Sequence, residues 1–282
     1  MPSFQQVSIV GVGLLGGSIA LALRQRLPNC KIVGIGRQQG KLETLIHSGM
    51  LHEATDKLAE GVATADLVVV CTPVEQIAAT VSEALHYAPA TCLATDVGST
   101  KATIVRSVMQ QGGDAARRFV GSHPLAGDHR SGAEYARPKL LERRTVVVTP
   151  AGGTAPEATE RICEFWTSLG AEVLEQSPEQ HDAALGYTSH LPHAVASALA
   201  AATPEDMLAL AASGWADTTR VAAADPNLWR QIFLSNREAV LAAIDQFDQH
   251  LAWLRSAIAA ADEAKLEQLL SEGKQRRDAL GN

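Results

Sequence analysis

The sequence feature that most constrains the fold is a glycine-rich segment between a strand and a helix. Residues 7–10 form a β-branched run, and Gly-x-Gly-x-x-Gly follows at once, with a helical pattern over residues 19–27 behind it. In this setting the first glycine permits a tight turn, the second lets the backbone approach a pyrophosphate, and the third lets the helix pack on the strand. The segment predicts a dinucleotide site at a helix N-terminus, with a plain glycine-rich turn as the alternative. The residues predicted to form it are Gly11, Gly13, Leu14, Leu15 and Gly16.

Short apolar runs alternate with helical patterns from residue 7 to residue 175. This alternation is typical of an α/β protein in which helices cover a Rossmann-type, doubly wound parallel sheet. Several runs are apolar throughout, as expected for strands that are buried on both faces. The predicted strands lie at residues 7–10, 31–35, 66–72, 91–96, 119–121, 145–149 and 171–174.

The strand pattern stops near residue 178, and the rest of the chain is rich in Ala and Leu and helical in period. We therefore predict a dinucleotide-binding domain over residues 1–175 and an all-α substrate and dimerisation domain over residues 176–282. Between residues 237 and 258 one apolar stripe recurs at three- and four-residue steps. Because an Ala-rich helical domain builds a thin core, we expect a homodimer, with coverage of the stripe by the same chain as the alternative. The stripe consists of Val240, Leu241, Ile244, Phe247, Leu251, Leu254 and Ile258.

The composition excludes several classes of partner. Of 282 residues, 46% are hydrophobic and 20% charged, and the formal net charge is -7. These values are typical of a packed globular protein, and an acidic chain without a basic stripe is a poor ligand for nucleic acid. No apolar run reaches the ~20 residues of a membrane helix, and no basic, apolar leader begins the chain. The four cysteines are widely spaced, so we expect reduced thiols and a cytoplasmic protein.

The turn after the second predicted strand indicates which dinucleotide is bound. An acidic residue usually meets the ribose 2′-hydroxyl of NAD at this point, but the chain has Arg37 and Gln38 there and no carboxylate. An arginine can pair with a 2′-phosphate through two charge-assisted hydrogen bonds. We therefore expect NADP to be preferred, with NAD possible. The alternative is that Arg37 is a solvated turn residue and Gln38 serves a bare ribose.

Three polar clusters follow strands whose carboxyl ends should line the ligand crevice of an open α/β sheet. They are residues 72–73, 96–101 and 121–127, and we expect Thr72 of the first cluster to contact the cofactor. The third cluster holds His123 between strand and proline, where an imidazole is better placed to accept a proton than to pack in a core. The alternative is a loop histidine whose ring is bonded to backbone.

Two histidines, His190 and His193, share one helix face three residues apart in the second domain. A metal pair is conceivable, with His181 as the third ligand, but no glutamate stands in a general-base position. We expect no metal, and instead a polar contact to a substrate or the capping of a helix that residues 189–193 open.

Arg220 lies among small residues in a segment that is otherwise poor in charge. An exposed arginine can bind a carboxylate through both of its terminal nitrogens. The alternative is an ion pair with Asp217 or Asp225 of the same segment.

Together these segments resemble the prephenate and arogenate dehydrogenase family of tyrosine biosynthesis. The resemblance extends from residue 7 to about residue 236. The glycine motif is shared by many dehydrogenases, whereas His-Pro-Leu-Ala-Gly and Ser-His-Leu-Pro-His, in this order and separation, are far more particular. The matching segments are residues 11–18, 71–73, 96–101, 121–127, 189–193 and 217–220.

The resemblance implies an oxidative decarboxylation in which hydride leaves the ring carbon that bears the 4-hydroxyl and goes to the nicotinamide. His123 matches the family's catalytic histidine, which takes the hydroxyl proton, and Ser99 matches the serine that places the hydroxyl and the nicotinamide. Arg220 matches the arginine that holds a substrate carboxylate. His190 matches a histidine of the substrate pocket. In the family the helical domain forms the dimer.

Two departures from the family bear on specificity. Many members have Thr-Glu after the His-Pro segment where this chain has Asp128 and His129, and NAD-preferring members have an acid where this chain has Arg37. If Asp128 faced the substrate side chain, its charge would favour the ammonium group of arogenate over the keto group of prephenate. The two departures together predict an NADP-preferring enzyme with arogenate activity.

Two alternatives come from other classes. One is a different two-domain dehydrogenase of small acids, such as a β-hydroxyacid dehydrogenase or an imine reductase. The other is a non-catalytic nucleotide-binding sensor, which would need neither a base beside the nicotinamide nor an arginine in the second domain.

Overall fold

In the computed structural model, which describes residues 4–127 and 130–281, eight strands form one sheet in the order β3-β2-β1-β4-β5-β6-β7-β8. Central β1 pairs in parallel with β2 and β4, so that Ile9 lies between Gly34 and Val69. All pairs are parallel except β6 with β7. The strands are β1 Gln6–Val10, β2 Lys31–Ile35, β3 Glu53–Thr55, β4 Leu67–Val70, β5 Leu93–Asp96, β6 Phe119–Pro124, β7 Thr145–Thr149 and β8 Glu172–Glu175.

The predicted Rossmann-type fold is confirmed, with two differences in the sheet. Edge strand β3 has only three residues, and Ala54 is its one apolar side chain, which is too little to mark a strand in sequence. The expectation of a parallel sheet is wrong for the β6–β7 pair. A parallel connection needs a long crossover, usually a helix, whereas the described part of the segment between β6 and β7 contains only the 3-10 turn Ala133–Tyr135. β7 therefore runs back along β6.

Helices alternate with the strands and then replace them. The first begins at Leu14, inside the glycine motif and five residues before the predicted helical run. Within the described ranges, no helix is long and apolar enough to cross a membrane. The helices are α1 Leu14–Arg26, α2 Gln39–His47, α3 Leu58–Val62, α4 Val74–Tyr87, α5 Ala102–Gln111, α6 Gly113–Arg118, α7 Pro156–Ser168, α8 Pro178–Leu185, α9 Leu191–Ala202, α10 Ser213–Thr219, α11 Pro226–Ser235, α12 Arg237–Ala259 and α13 Glu263–Ala279.

The inner strands of the sheet, such as β1 and β4, are buried on both faces, and successive residues of each strand point to opposite faces. Leu67 and Val69 of β4 pack into the cluster that contains α1 and α7. Val68 and Val70 pack into the cluster on the other face, with α4 and α5. This explains why β4 is an uninterrupted apolar run.

The helical part is joined to the sheet by a continuous helical stretch. α8 starts with a capping box between Ser177 and Gln180 and passes through the π turn Gly186–His190 directly into α9. Residues 189–193 therefore do not open a free helix, and no side chain caps α9, contrary to the predicted alternative. A π turn of this kind often occurs at functional sites.

A fully buried ion pair fixes the loop between β5 and α5. Lys101 Nζ contacts Asp96 Oδ2, and both side chains are inaccessible to water. Asp96 also accepts the N–H groups of Gly98 and Ser122, at 2.8 and 3.0 Å. Burial lowers the pKa of Lys101, and the neighbouring Asp96 opposes that shift. A pair of this kind is held by its hydrogen bonds, since desolvation offsets much of the Coulomb attraction.

Lys101→Met should lower the free energy of unfolding by about 3–5 kcal/mol, because it leaves the Asp96 charge buried without its partner. Urea denaturation followed by circular dichroism measures the loss. Lys57→Met is the matched control, since Lys57 forms a 2.8 Å ion pair with Glu60 on an exposed surface and should lose almost nothing. Equal midpoints for the two variants would contradict the assignment.

Candidate active site

Five of the predicted site residues lie near or just beyond the carboxyl ends of strands at the same edge of the sheet. Gly11 follows β1, Arg37 follows β2, Thr72 follows β4, Ser99 follows β5, and His123 lies near the carboxyl end of β6. Because the carboxyl ends of parallel strands meet at one edge, these residues line a common crevice.

The glycine motif forms a backbone cradle at the start of α1. Gly11 has φ +90° and lies so close to the end of the neighbouring strand β4 that a Cβ would be 2.8 Å from the carbonyl oxygen of Cys71. A Cβ on Gly16 would be 2.4 Å from the carbonyl oxygen of Gly11. In contrast, a Cβ on Gly13 would meet nothing within 4 Å, and Gly13 caps α1 without a side-chain bond. The open backbone at a helix N-terminus fits a pyrophosphate.

Polar groups for the rest of a dinucleotide flank this cradle. Arg37 and Gln38 are exposed at the turn that leads into α2. The Thr72 hydroxyl is buried and, within the described residues, has no hydrogen-bond partner. A buried orphan hydroxyl at the strand end is a donor and acceptor for a bound ligand. The residues present therefore fit NAD or NADP.

His123 is the first member of a hydrogen-bonded chain that reaches into the helical part. Its Nδ1 lies 2.9 Å from His181 Nε2, and His181 Nδ1 lies 2.8 Å from Asp182 Oδ1. Asp182 in turn accepts the backbone N–H groups of Lys101 and Ala102, at 2.7 and 2.9 Å, and so caps α5. Desolvation, together with the nearby His181, Lys101 and His190, holds the pKa of His123 well below 6.5. His123 is therefore neutral at pH 7.

The position of Ser99 is fixed by the hydrogen bonds of its loop to Asp96. Ser99 lies partly exposed between β5 and α5, in the segment that Asp96 fixes through Gly98. The neighbouring strand β6 is joined to the same carboxylate through Ser122, whose hydroxyl also accepts from Trp166 Nε1 at 3.0 Å. The two loops that carry Ser99 and His123 are thus joined by one buried network. The role of Ser99 toward a substrate stays a prediction.

His190 is buried, and its proton position follows from its neighbour. Asn236 Nδ2 lies 2.8 Å from the carbonyl oxygen of Asp182, which can only accept, and 3.0 Å from His190 Nδ1. The amide nitrogen is therefore the donor, and a neutral His190 carries its proton on Nε2. Burial lowers the pKa of His190 to about 4, so the ring is neutral at pH 7. Its predicted contact with a substrate stays untested.

His193 and Trp229 form an aromatic wall beside His190. Their rings stack at 3.5 Å with an angle of 8°, and Phe233 packs edge-on to His193 at 6.0 Å. His193 Nδ1 is buried and, among the described residues, has no hydrogen-bond partner. Burial lowers the pKa of His193. The wall therefore contains one buried ring nitrogen that no described residue satisfies.

Arg220 is exposed on the turn Arg220–Ala223, which packs against α9. In the part of the chain that the structure describes, Arg220 forms no ion pair with Asp217, and Asp225 instead accepts the Asn227 N–H to cap α11. The intramolecular alternative is thus not observed, and the predicted binding of a carboxylate remains open. Asp128 lies outside the described residues.

The described residues do not form the metal site that was considered for His181, His190 and His193. Over the described ranges, no group of three or more His, Cys, Asp or Glu side chains could hold a metal ion. His181, the proposed third ligand, is bonded to His123 and Asp182.

Sequence reasoning missed the residues that connect the site to the helical part. His181 was considered only as a metal ligand, while Asp182, Asn236 and Trp229 were not singled out. The one local signal is a His-Asp pair just after the capping box of α8. Their hydrogen-bond partners elsewhere in the chain lie 46 to 81 residues away in sequence, so spacing alone could not reveal them.

The doubly wound sheet, the glycine cradle and the histidine at the crevice define a dinucleotide-dependent dehydrogenase. Residues 19–175 match the family "Prephenate dehydrogenase, nucleotide-binding domain", and residues 177–272 match "Prephenate dehydrogenase, dimerization domain". The chain therefore belongs to the prephenate dehydrogenase family and is an NAD(P)-dependent oxidoreductase. This confirms the family resemblance and sets aside the other small-acid dehydrogenases and the non-catalytic sensor.

Individual relatives are similar to this chain over nearly its full length. The prephenate dehydrogenase of Bacillus subtilis is 34% identical over 97% of this chain and 76% of its own length. The crystal structure of Aquifex aeolicus prephenate dehydrogenase with hydroxyphenyl propionate and NAD+ has a TM-score of 0.91 at 34% identity and covers 99% of both chains. Synechocystis arogenate dehydrogenase has a TM-score of 0.86 at 31% identity, covering 98% of this chain and 99% of its own.

Gly13→Ala should weaken dinucleotide binding by about tenfold or more, because the methyl group fills the space that a pyrophosphate needs to reach the backbone N–H groups. Stability should change by less than about 1 kcal/mol, since the added Cβ meets no protein atom. Calorimetric titration with NADP and NAD measures affinity. Gly273→Ala on α13 is the control, because its Cβ also meets nothing within 4 Å. Wild-type affinity in the Gly13 variant would contradict the cradle assignment.

Proposed function

We propose that this enzyme oxidatively decarboxylates arogenate to tyrosine, prephenate to 4-hydroxyphenylpyruvate, or both. The observation that carries the proposal is His123, a neutral imidazole at the crevice whose Nδ1 is already engaged by His181. Its other ring nitrogen is left to meet a substrate. A neutral imidazole of this kind is a suitable general base for an alcohol that is being oxidised.

His123 accepts the proton of the ring hydroxyl as the hydrogen on the same carbon departs with its electron pair. When bound, the nicotinamide cofactor supplies the acceptor for that hydride. The bond to the ring carboxylate then breaks and releases carbon dioxide. Its electron pair completes the aromatic ring and passes to the ring oxygen, which takes up a proton. The low pKa of His123 keeps the base free of a proton before the substrate arrives.

The remaining roles follow the charges of the substrate. Arg220, exposed and without an ion pair in the described chain, binds a substrate carboxylate through its guanidinium group. His190 donates from Nε2, the nitrogen that Asn236 leaves protonated. Ser99 lies on the loop beside His123 and places the hydroxyl and the nicotinamide. The flat wall of His193 and Trp229 suits the planar product ring.

We propose NADP as the preferred cofactor, with NAD as the second. The support is an exposed Arg37 and the absence of a carboxylate from residues 36–40, where an acid would repel the 2′-phosphate. The Aquifex aeolicus neighbour was crystallised with NAD+, so the family accommodates that cofactor as well. Arogenate is the proposed preferred substrate: if Asp128, which lies outside the described residues, faces the substrate side chain, its charge attracts the ammonium group.

The enzyme is proposed to act as a homodimer through its helical part. Helix α12 matches the predicted amphipathic stretch, but several of its apolar side chains are not covered by this chain. Leu241, Leu251 and Ile258 are 49%, 52% and 64% exposed. The match to a dimerization domain over residues 177–272 supports a second copy as the cover.

The cysteines support the cytoplasmic location proposed from the sequence. All four are free, and burial raises the pKa of Cys30 to about 11 and that of Cys92 to about 12. Buried, protonated thiols are ordinary core residues in a reducing compartment.

His123→Asn should lower kcat by about 10²- to 10⁴-fold, because the amide cannot accept the hydroxyl proton. Absorbance of the reduced nicotinamide follows turnover, and calorimetric titration should show unchanged cofactor affinity. His86→Asn, at an exposed position on α4, is the matched control. A loss of less than tenfold would point to a different base.

Purified protein should turn over arogenate with NADP faster than any of the other three pairings of arogenate or prephenate with NADP or NAD. Reduced nicotinamide gives the rate, and chromatography identifies tyrosine or 4-hydroxyphenylpyruvate. Arg37→Ala should lower kcat/KM for NADP about tenfold through loss of a charge-assisted hydrogen bond, and leave NAD unaffected.

Arg276→Ala on α13 controls for the loss of a surface charge. Equal or faster turnover of prephenate with NAD would overturn the substrate and cofactor preferences while leaving the reaction class intact. No turnover in any pairing would overturn the proposed reaction.

A further inference from the structure

The hydrogen bond between His123 and His181 can have either ring as its donor. His123 Nδ1 and His181 Nε2 are 2.9 Å apart, so one nitrogen donates and the other accepts. The donor is determined by the second ring nitrogen of His181, Nδ1, which lies 2.8 Å from Asp182 Oδ1. His181 is fully buried, so water does not compete for either nitrogen.

Asp182 is an acceptor at both oxygens. Its Oδ1 accepts from the Lys101 N–H and its Oδ2 from the Ala102 N–H, and a backbone N–H can only donate. His181 therefore donates to the carboxylate from Nδ1. A neutral imidazole that donates from Nδ1 carries a lone pair on Nε2. With a single proton, on Nδ1, His181 accepts at Nε2, and His123 is then the donor through its Nδ1–H.

We propose that His181, held by Asp182, positions His123 in the one tautomer that leaves Nε2 free to take the substrate's proton. His181 and Asp182 are positioning residues, since they act through His123. The inference rests on the proposed function, in which His123 is the base. Without the acceptor on His181, His123 would be free to rotate or to carry its proton on Nε2, and either change would turn the base away from the hydroxyl.

The same arrangement stabilises His123 after the proton has moved. The proton passes from the substrate oxygen to Nε2, while Nδ1–H stays bonded to His181. The new positive charge therefore forms beside an acceptor that is itself polarised by the Asp182 carboxylate, 2.8 Å farther along. No hydrogen bond in the chain breaks during the transfer.

The tautomer can be read directly by ¹⁵N NMR of histidine-labelled protein at pH 7. The His123→Asn protein, which lacks this ring, assigns the His123 signals among the nine histidines. We expect a protonated Nδ1 and a pyridine-type Nε2 in the wild type. A His123 ring protonated on Nε2 overturns the proposal. This measurement needs no turnover, so its outcome is separate from that of the proposed reaction.

Two substitutions at His181 separate positioning from structural support. His181→Asn keeps an amide N–H for Asp182 but brings no acceptor to His123, whereas His181→Gln can place its amide oxygen where Nε2 was. We expect kcat to fall about 100-fold in the Asn variant with little change in KM, as for a misplaced base, and about tenfold in the Gln variant. The His123 proton should also move to Nε2 in the Asn variant.

Wild-type kcat and an unchanged His123 tautomer in the Asn variant would overturn the proposal. Equal losses of kcat in both variants, with the His123 tautomer intact in each, would assign His181 a structural role and also overturn it. If neither variant folds, the tautomer of the wild-type protein decides the question.

Discussion

The carboxylate of Asp182 is the group on which the geometry of the site depends. The carboxylate caps α5 through two backbone N–H groups and binds His181. The backbone carbonyl oxygen of Asp182 accepts a hydrogen bond from the Asn236 side chain. A cap of this kind is worth ~1 kcal/mol on an exposed helix. Here the bonds are buried, so an imperfect fit would leave charged or polar groups unpaired at a much larger cost. These buried bonds therefore fix the position of α8 relative to the start of α5.

In the proposed reaction, His123 and His190 acquire opposite roles from this one residue. The side chain of Asp182 leads through His181 to His123, whereas its main chain leads through Asn236 to His190. The first set of hydrogen bonds leaves a lone pair on His123 Nε2, and the second leaves a proton on His190 Nε2. A substrate with a hydroxyl to oxidise and carboxylates to bind needs both an acceptor and a donor, and burial keeps both rings neutral enough to serve.

Sequence reasoning succeeds here where local pattern decides the structure. The glycine motif, the apolar run of β4 and the stripe of α12 each report on neighbouring residues, and the structure has the corresponding elements. It fails for β3, a three-residue strand at the sheet edge, and for the direction of β7, whose connection to β6 has no α-helix in its described part. His181 was beyond its reach because the partner, His123, lies 58 residues away and comes close only through the fold.

In the proposed reaction, the electrostatics of His123 resolve a conflict between two demands on the base. Burial and the cationic Lys101 make the ring a weaker base than a free imidazole, yet a general base works best when its pKa lies near the working pH. The two demands, an unprotonated ring before the transfer and a stable imidazolium after it, apply at different moments of the reaction. Before the transfer, desolvation keeps the ring unprotonated and ready. Once the proton arrives, the path through His181 to Asp182 brings a negative charge to bear on the imidazolium, and Asp96 has already neutralised Lys101. The buried ion pair is thus positioned to limit the repulsion that the nascent cation would otherwise meet.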